Sequence, residues 1–220
     1  MKRNIDISEV SDGKRYGLQD MVRVGSDDCK GCSSCCRGMG NSIILDPYDV
    51  YRLTAGLDCR FADLLIDKVD LNVVDGIILP NLKMSGEGFG CVFLNTEGRC
   101  SIHALRPGFC RIFPLGRIYE NGSFQYFLQV HECKKTNRTK VKVKKWIDTP
   151  DIVKNETFIN RWHYFLKKIS EKLLDLPEER VKQINMYILN VFFMTLYEGK
   201  RDFYEQFEER IHSAQRELLL

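Results

Sequence analysis

Four thiols fall within eight residues in Cys29-Lys30-Gly31-Cys32-Ser33-Ser34-Cys35-Cys36. Cysteine used merely as a small apolar residue gives no reason for such a density, and a cluster like this would be highly reactive if left unligated. Thiolates at this spacing are ligands for thiophilic metals. The small residues between them let one loop fold its sulfurs around a point. Gly31 and Gly38 are expected to supply positive φ, so that loop amides can turn toward the sulfurs and stabilise thiolate. A single zinc takes four ligands tetrahedrally, usually as two CxxC pairs from separate turns, and here only Cys29 and Cys32 form an uncomplicated pair. Adjacent thiols point apart. Cys35 and Cys36 are therefore expected to serve different metal atoms, which favours a polynuclear centre or two nearby sites. Iron-sulfur is read before zinc on that ground, with zinc as the alternative.

A second group consists of Cys91, Cys100, Cys110 and Cys133. Together with Cys29, Cys32, Cys35 and Cys36 it makes eight expected metal ligands, enough for two four-cysteine centres or for one larger shared cluster with open sites. Which thiol goes where is not legible at this level. Cys59, between Asp58 and Arg60, repeats none of the ligand context and is left out. His103 stands three residues after Cys100, as a ligand, an acid/base group, a second-layer donor or a structural histidine. His131, two residues before Cys133, would share a face with that thiol if the segment were a strand. Arg106 and Arg111 bracket Cys110; a guanidinium there either offsets thiolate charge or forms an ordinary surface ion pair.

The rest of the composition narrows the setting. Nine cysteines is a high and odd number for 220 residues. The N-terminus has Asp, Glu and Ser where a secretory segment would be apolar, so a reducing, cytoplasmic location with free thiols is expected. A net charge of +3 is too mild to argue for nucleic acid. The apolar stretch from Met186 to Tyr197 is broken by Asn190 and is far short of the roughly 20 residues that span a bilayer, so no membrane association is expected. The partner is left as an unknown substrate or redox protein.

Positioning these thiols requires a scaffold, and the pattern along the chain predicts an α+β fold. Residues 1–147 are expected to form a small cysteine-rich metal-binding domain of short antiparallel strands and short helices. Residues 148–220, free of cysteine, are expected to add a helical region of about three helices packed on it. Strand-like runs are Ser42 to Leu45, Leu71 to Val74, Ile77 to Leu79, Cys91 to Leu94, Gly116 to Tyr119 and Phe124 to Val130. Asn121-Gly122 predicts a type I′ hairpin between the last two. A turn over Asn95 to Arg99 would bring Cys91 and Cys100 back toward one another. Asp46-Pro47 opens a helix, and Phe61 to Val69 forms another. Lys140-Val-Lys142-Val-Lys144 reads as a strand with one solvated face. Beyond Trp146 the period becomes helical: Phe158, Trp162, Phe165, Ile169 and Leu173 form one stripe. Val181, Ile184, Ile188 and Val191 or Phe192 form a second, on a helix ending near Gly199. Phe203, Phe207 and Ile211 form a third, behind a cap at Asp202.

These residues together resemble the YkgJ-like cysteine-cluster family, a zinc- or iron-chelating domain with a CxxCxxCC motif. The resemblance is carried by Cys29-x-x-Cys32-x-x-Cys35-Cys36, then Cys91, then Cys100-Ser-Ile-His103-Ala-Leu-Arg106-Pro107-Gly-Phe-Cys110-Arg111-Ile-Phe113-Pro114, then Cys133, and covers roughly Cys29 to Ile147. It implies a metal-binding, iron-sulfur protein with an oxidoreductase or electron-transfer role. The competing readings are a structural zinc module with a partner-binding helical tail and, by analogy with flagellin lysine methylases, a protein-modifying enzyme. No Gly-rich cofactor loop supports methyl transfer independently.

Overall fold

In the computed structural model, which describes residues 7–26, 32–85 and 90–219, the elements in chain order are α1 (Ile7–Val10), β1 (Met21–Gly25), α2 (Pro47–Leu57), α3 (Phe61–Asp67), β2 (Val69–Val74), β3 (Ile77–Leu82), β4 (Met84–Ser85), β5 (Gly90–Cys91), α4 (Gly108–Ile112), β6 (Leu115–Glu120), β7 (Ser123–Leu128), β8 (Thr139–Lys142), α5 (Val143–Ile147), α6 (Ile152–Leu173), α7 (Glu178–Leu189) and α8 (Phe203–Glu217). The fold is α+β with a helical C-terminal region. Strands pair two at a time and antiparallel: β1 with β8, β2 with β3, β4 with β5, β6 with β7. Among the described residues no helix is long and apolar enough to cross a membrane. Contacts divide the chain into two units, residues 44–82 with 153–220 and residues 2–43 with 83–152. The segment 44–82, expected within the cysteine-bearing part, thus groups with the C-terminal helices.

The first unit is built on helix signals. Asp46 accepts from the Asp49 amide at 2.8 Å while the Asp49 carboxylate accepts from the Asp46 amide at 3.2 Å, and Pro47 fills the first turn of α2, which needs no amide donor. The β2–β3 hairpin turns at Asp75 and Gly76, both at positive φ. The stripes expected on the long helices are buried: Phe158, Trp162, Phe165, Ile169 and Leu173 on α6, and Phe203, Phe207 and Ile211 on α8. Asp202 caps α8, accepting from Tyr204 N at 2.8 Å and Glu205 N at 3.1 Å. On α7 the pattern departs from expectation, because the helix widens into a π turn over Asn190–Met194. The extra residue in that turn lets the neighbouring rings of Phe192 and Phe193 both point into the core. Ser42 to Leu45 is not a strand. Ile44 makes one bridge to Asn81, Leu45 N donates to Pro80 O at 2.8 Å, and the α2 cap follows at once.

The second unit has its own core of Tyr16, Val22, Val24, Ile112, Leu115, Tyr126, Leu128, Val143 and Ile147. Asn121 and Gly122 stand at φ 51° and 77° in the expected hairpin, with Glu120 opposite Ser123. Gly116 lets the Phe127 ring lie close over the backbone, since a Cβ there would come within 2.5 Å of that ring and displace it. The lysine-rich strand is shorter than its alternation suggests. It stops at Lys142, and Val143 and Lys144 donate to Asp20 O and Leu18 O at 3.0 Å as α5 begins.

Candidate metal centre

Cys35 and Cys36 are carried on a single 3-10 turn over Ser34–Cys36, closed by the Cys36 amide donating to Ser33 O at 2.9 Å. Gly38 follows at φ 68°, the left-handed conformation expected of it. Cys29 and Gly31 lie outside the described residues. The Cys32 thiol sits 3.6 Å from Ser34 Oγ. Its pKa is lowered, chiefly by the backbone amide and then the hydroxyl of Ser34, with burial opposing and Lys135 adding a favourable charge.

Cys35 lines a small cleft with Cys32 and Cys133; Phe113, Pro114 and Trp146 form its apolar wall, and Ser26, Ser34, Glu132, Lys134 and Lys135 supply polar groups. The cleft has about 20 Å³ of room, enough for one water- or ion-sized occupant. Trp146 is held in that wall by its indole N–H, which donates to Phe113 O at 3.0 Å. Cys36 is hydrogen-bonded to the Cys35 thiol and also acts electrostatically on Cys32, Cys91 and Cys100. An isolated antiparallel bridge pairs Arg37 with Gly90, the residues next to Cys36 and Cys91 in the chain. The turn expected over Asn95 to Arg99 is closed by Asn95 N donating to Arg99 O at 2.8 Å, and Leu94 bridges Cys100, returning Cys100 toward Cys91.

The electrostatics join these thiols through Cys36. The Cys36 pKa is lowered to about 7, first by a hydrogen bond with the Cys35 thiol, against burial and with the help of Arg37 and Arg106. The thiols of Cys91 and Cys100 are pushed up by burial, which outweighs the hydrogen bonds from the Phe93 and Ile102 backbone. Cys36 raises both further, and Arg106 lowers Cys100. Thiolate at Cys36 is thus favoured by the Cys35 hydrogen bond and by the charges of Arg37 and then Arg106.

Arg106 and His103 are joined, with Arg106 Nη1 2.9 Å from His103 Nε2. A guanidinium can only donate, so Nε2 is the acceptor in this contact. Arg106 Nε is buried without a hydrogen-bond partner among the described residues. Arg111 has a role that neither sequence reading foresaw. It is buried, and it donates to Ala104 O at 2.6 Å, Arg106 O at 3.0 Å, Asp148 O at 2.6 Å and Ile147 O at 3.5 Å. It ties the end of the His103–Leu105 turn to the C-terminus of α5.

Cys110 is half-buried on α4. His131 lies in an exposed turn after β7, so the strand alternation that would have aligned it with Cys133 is absent. Cys59 stands in the other unit, its thiol pushed up by burial and then by Asp63 and Asp58. His163 and His212 are on α6 and α8, also in that unit. Among the described residues, no three His, Cys, Asp or Glu side chains already converge as a coordination sphere. By donor chemistry the residues fit a thiophilic metal, since soft sulfur ligands supported by amide, hydroxyl and guanidinium donors select zinc or iron over hard cations. Sequence reasoning missed Ser34, Glu132, Lys135 and Trp146. Ser34, Glu132 and Lys135 stand within two residues of a cysteine, the one signal that could have pointed to them, and nothing local sets Trp146 apart.

Comparison with known proteins bears on the same stretch. Residues 28–162 match the family described as "CxxCxxCC: Putative zinc- or iron-chelating domain". No curated protein and no solved structure matches the chain. With well over half of its length matched, from the first thiol cluster past the last cysteine, the chain belongs to the CxxCxxCC family of zinc- or iron-chelating domains and is a metal-binding protein.

Proposed function

We propose that the chain is an iron-sulfur protein of the cytoplasm with a redox role, as an oxidoreductase or an electron carrier. The reading rests on one observation: the adjacent thiols Cys35 and Cys36 are hydrogen-bonded in a single turn, with Cys32 and Cys133 lining the same cleft as Cys35 and with Cys32, Cys91 and Cys100 within electrostatic reach of Cys36. One mononuclear zinc takes four ligands, and six neighbouring thiols exceed what it uses, which favours a polynuclear centre. The residues that would hold it are Cys32, Cys35, Cys36, Cys91, Cys100 and Cys133, with Cys29 and Cys110 included on sequence grounds. A bound cluster would supply one-electron transfer at a potential set by charge and hydrogen bonds to sulfur. The chain's own contribution is the Ser34 donor pair at Cys32 and the Arg106 charge at Cys36 and Cys100.

Anaerobically isolated protein is expected to be brown, with absorption near ~400 nm, iron and acid-labile sulfide in comparable amounts, and a paramagnetic signal on reduction. Cys91→Ser is expected to lower the iron content, and Cys59→Ser to leave it unchanged. A colourless protein with stoichiometric zinc would overturn the reading.

A second reading, a structural zinc module whose helical region binds a partner, is favoured by the size of the cleft, whose about 20 Å³ suits a single ion between Cys32, Cys35 and Cys133. Under it, chelation unfolds the cysteine-bearing unit and no redox signal is seen.

A further inference from the structure

The β2–β3 hairpin is closed along one edge and open along the other. Its two-residue turn at Asp75 and Gly76 makes Val74 and Ile77 a hydrogen-bonded pair. Pairing then alternates, so Leu71 and Val73 on β2, opposite Pro80 and Ile78 on β3, turn their backbone groups away from the hairpin. On β3 such outward groups are taken: Ile78 N donates to Asn185 Oδ1 at 2.7 Å, and Pro80 O accepts from Leu45 N at 2.8 Å. On β2, among the described residues, no strand or side chain takes the outward N–H and C=O of Leu71 and Val73.

The side chains along this open edge are apolar. Leu71 is 40% exposed, Val73 69%, and Ile66 on the preceding α3 77%. Proteins ordinarily blunt such an edge with lysine, proline or a bulge. Val69–Val74 contains neither residue, and it pairs with β3 without a shift in register. Asp70 and Asn72 alternate onto the opposite face, where Asn72 is bonded to Asn81. Unpaired backbone groups beside exposed aliphatic side chains are a template for one more strand.

We propose that β2 is the interface of a weak two-fold dimer, in which β2 of a second copy of this chain adds antiparallel and joins the two hairpins into one four-stranded sheet. The strand's own sequence selects this occupant. A two-fold axis at Asn72 sets Leu71 of each copy opposite Val73 of the other, so outward N–H groups meet outward C=O groups and the exposed aliphatic side chains cover one another. Asp70 then stands opposite Val74, and no charge faces its like. An axis at Asp70 would oppose two carboxylates, and one at Leu71 would draw on Val69, which is already buried. An axis between residues would set outward groups against inward ones. The contact of two short strands is small, which places the dimer in the weak, transient class. The inference goes beyond the metal reading, involves no cysteine and is the same for iron and for zinc.

The test uses the full chain in its native metal state. Sedimentation velocity from about 1 µM to about 1 mM should show monomer passing to dimer and to nothing larger, because the two-fold seam uses up the open edge of both copies. Residue-resolved amide exchange over the same range locates the seam. The Leu71 and Val73 amides should slow by at least about tenfold on association, while those of Asn72 and Val74, bonded to β3 already, change little. Val73→Lys should weaken the dimer by at least about tenfold. Val73→Pro removes an outward donor that the hairpin does not use, and should have the same effect. Because proline can distort the strand, exchange in the wild-type protein carries the proposal independently. A chain that sediments as a monomer throughout, or a dimer that leaves the Leu71 and Val73 amides at their free rates, would overturn it. A monomer in which these two amides slow only on addition of a different protein would also overturn it and would give the edge to that partner.

Discussion

Replacing Arg111 is the sharpest probe of how the cysteine-bearing unit is held together. The side chain is 5% exposed and spends its guanidinium on backbone carbonyls of two separated stretches, Ala104 and Arg106 on one side and Ile147 and Asp148 on the other. Three of the four contacts are at or below 3.0 Å and one is marginal at 3.5 Å. A hydrogen bond involving a charged group contributes about 1.5–3 kcal/mol net. Three good ones at the low end sum to about 4.5 kcal/mol, and returning a buried guanidinium to water offsets part of that. Arg111→Ala is therefore expected to cost about 3 kcal/mol, within the range found when one partner of a buried charged network is removed. At a urea slope of about 2 kcal/mol per molar, the unfolding midpoint should fall by about 1.5 M. Arg111→Lys should recover less than half, because one ammonium cannot fork to both stretches. The assay is urea unfolding of metal-free protein, paired with amide hydrogen exchange over residues 100–150, where protection should drop first around residues 104–106 and at the α5 C-terminus. A loss below about 0.5 kcal/mol, or full recovery by lysine, would refute the assignment of Arg111 as the tie between these stretches.

Three further outcomes are expected. Asn185, 4% exposed, accepts from Ile78 N at 2.7 Å and donates to Gly76 O and Val181 O at 3.1 Å; Asn185→Ala should cost about 2–3 kcal/mol in thermal or urea unfolding, mostly for the hairpin amide and carbonyl left without their partner. Asp202 has its carboxyl held low, first by the hydrogen bond from Lys154 and then by the α8 amides; the stabilisation is intact above about pH 4 and is lost as pH falls through the depressed value. Asp202→Ala should cost about 1 kcal/mol at neutral pH, and the gap between its melting temperature and that of the wild type should close as pH falls below the ordinary carboxylate range. Tyr16, Tyr197 and Tyr204 all have their phenols raised, each chiefly by burial, with Asp12 accepting the Tyr16 hydroxyl. Folded values above the ordinary one mean stability intact below about pH 10 and lost as pH climbs toward them. Phenolate absorbance of these three should appear together with unfolding, and early ionisation at the ordinary value would count against their burial.

Much of the scaffold was legible because it depends on local rules. The Asp46-Pro47 cap, the Asn121-Gly122 turn and the apolar stripes of α6 and α8 are decided by a few neighbouring residues, and they stand where the sequence put them. The strand expected over Ser42 to Leu45 shrank to a bridge because the α2 cap competes for the same residues, and the lysine alternation lost its last member to α5. The π turn after Leu189 had no signature in an apolar period that reads equally well as a longer α-helix.

The sequence by itself determined the metal-binding character and the local turns, since thiol chemistry and turn geometry are properties of residues and short spacings. Tertiary structure alone decided that residues 44–82 leave the cysteine-bearing stretch to group with the C-terminal helices, that Cys35 lines a cleft with Cys133, and that Arg111 donates to carbonyls of two distant stretches. Each of these joins residues far apart along the chain. Which distant partner a side chain meets is set by how the whole chain closes on its cores, and no local spacing encodes it.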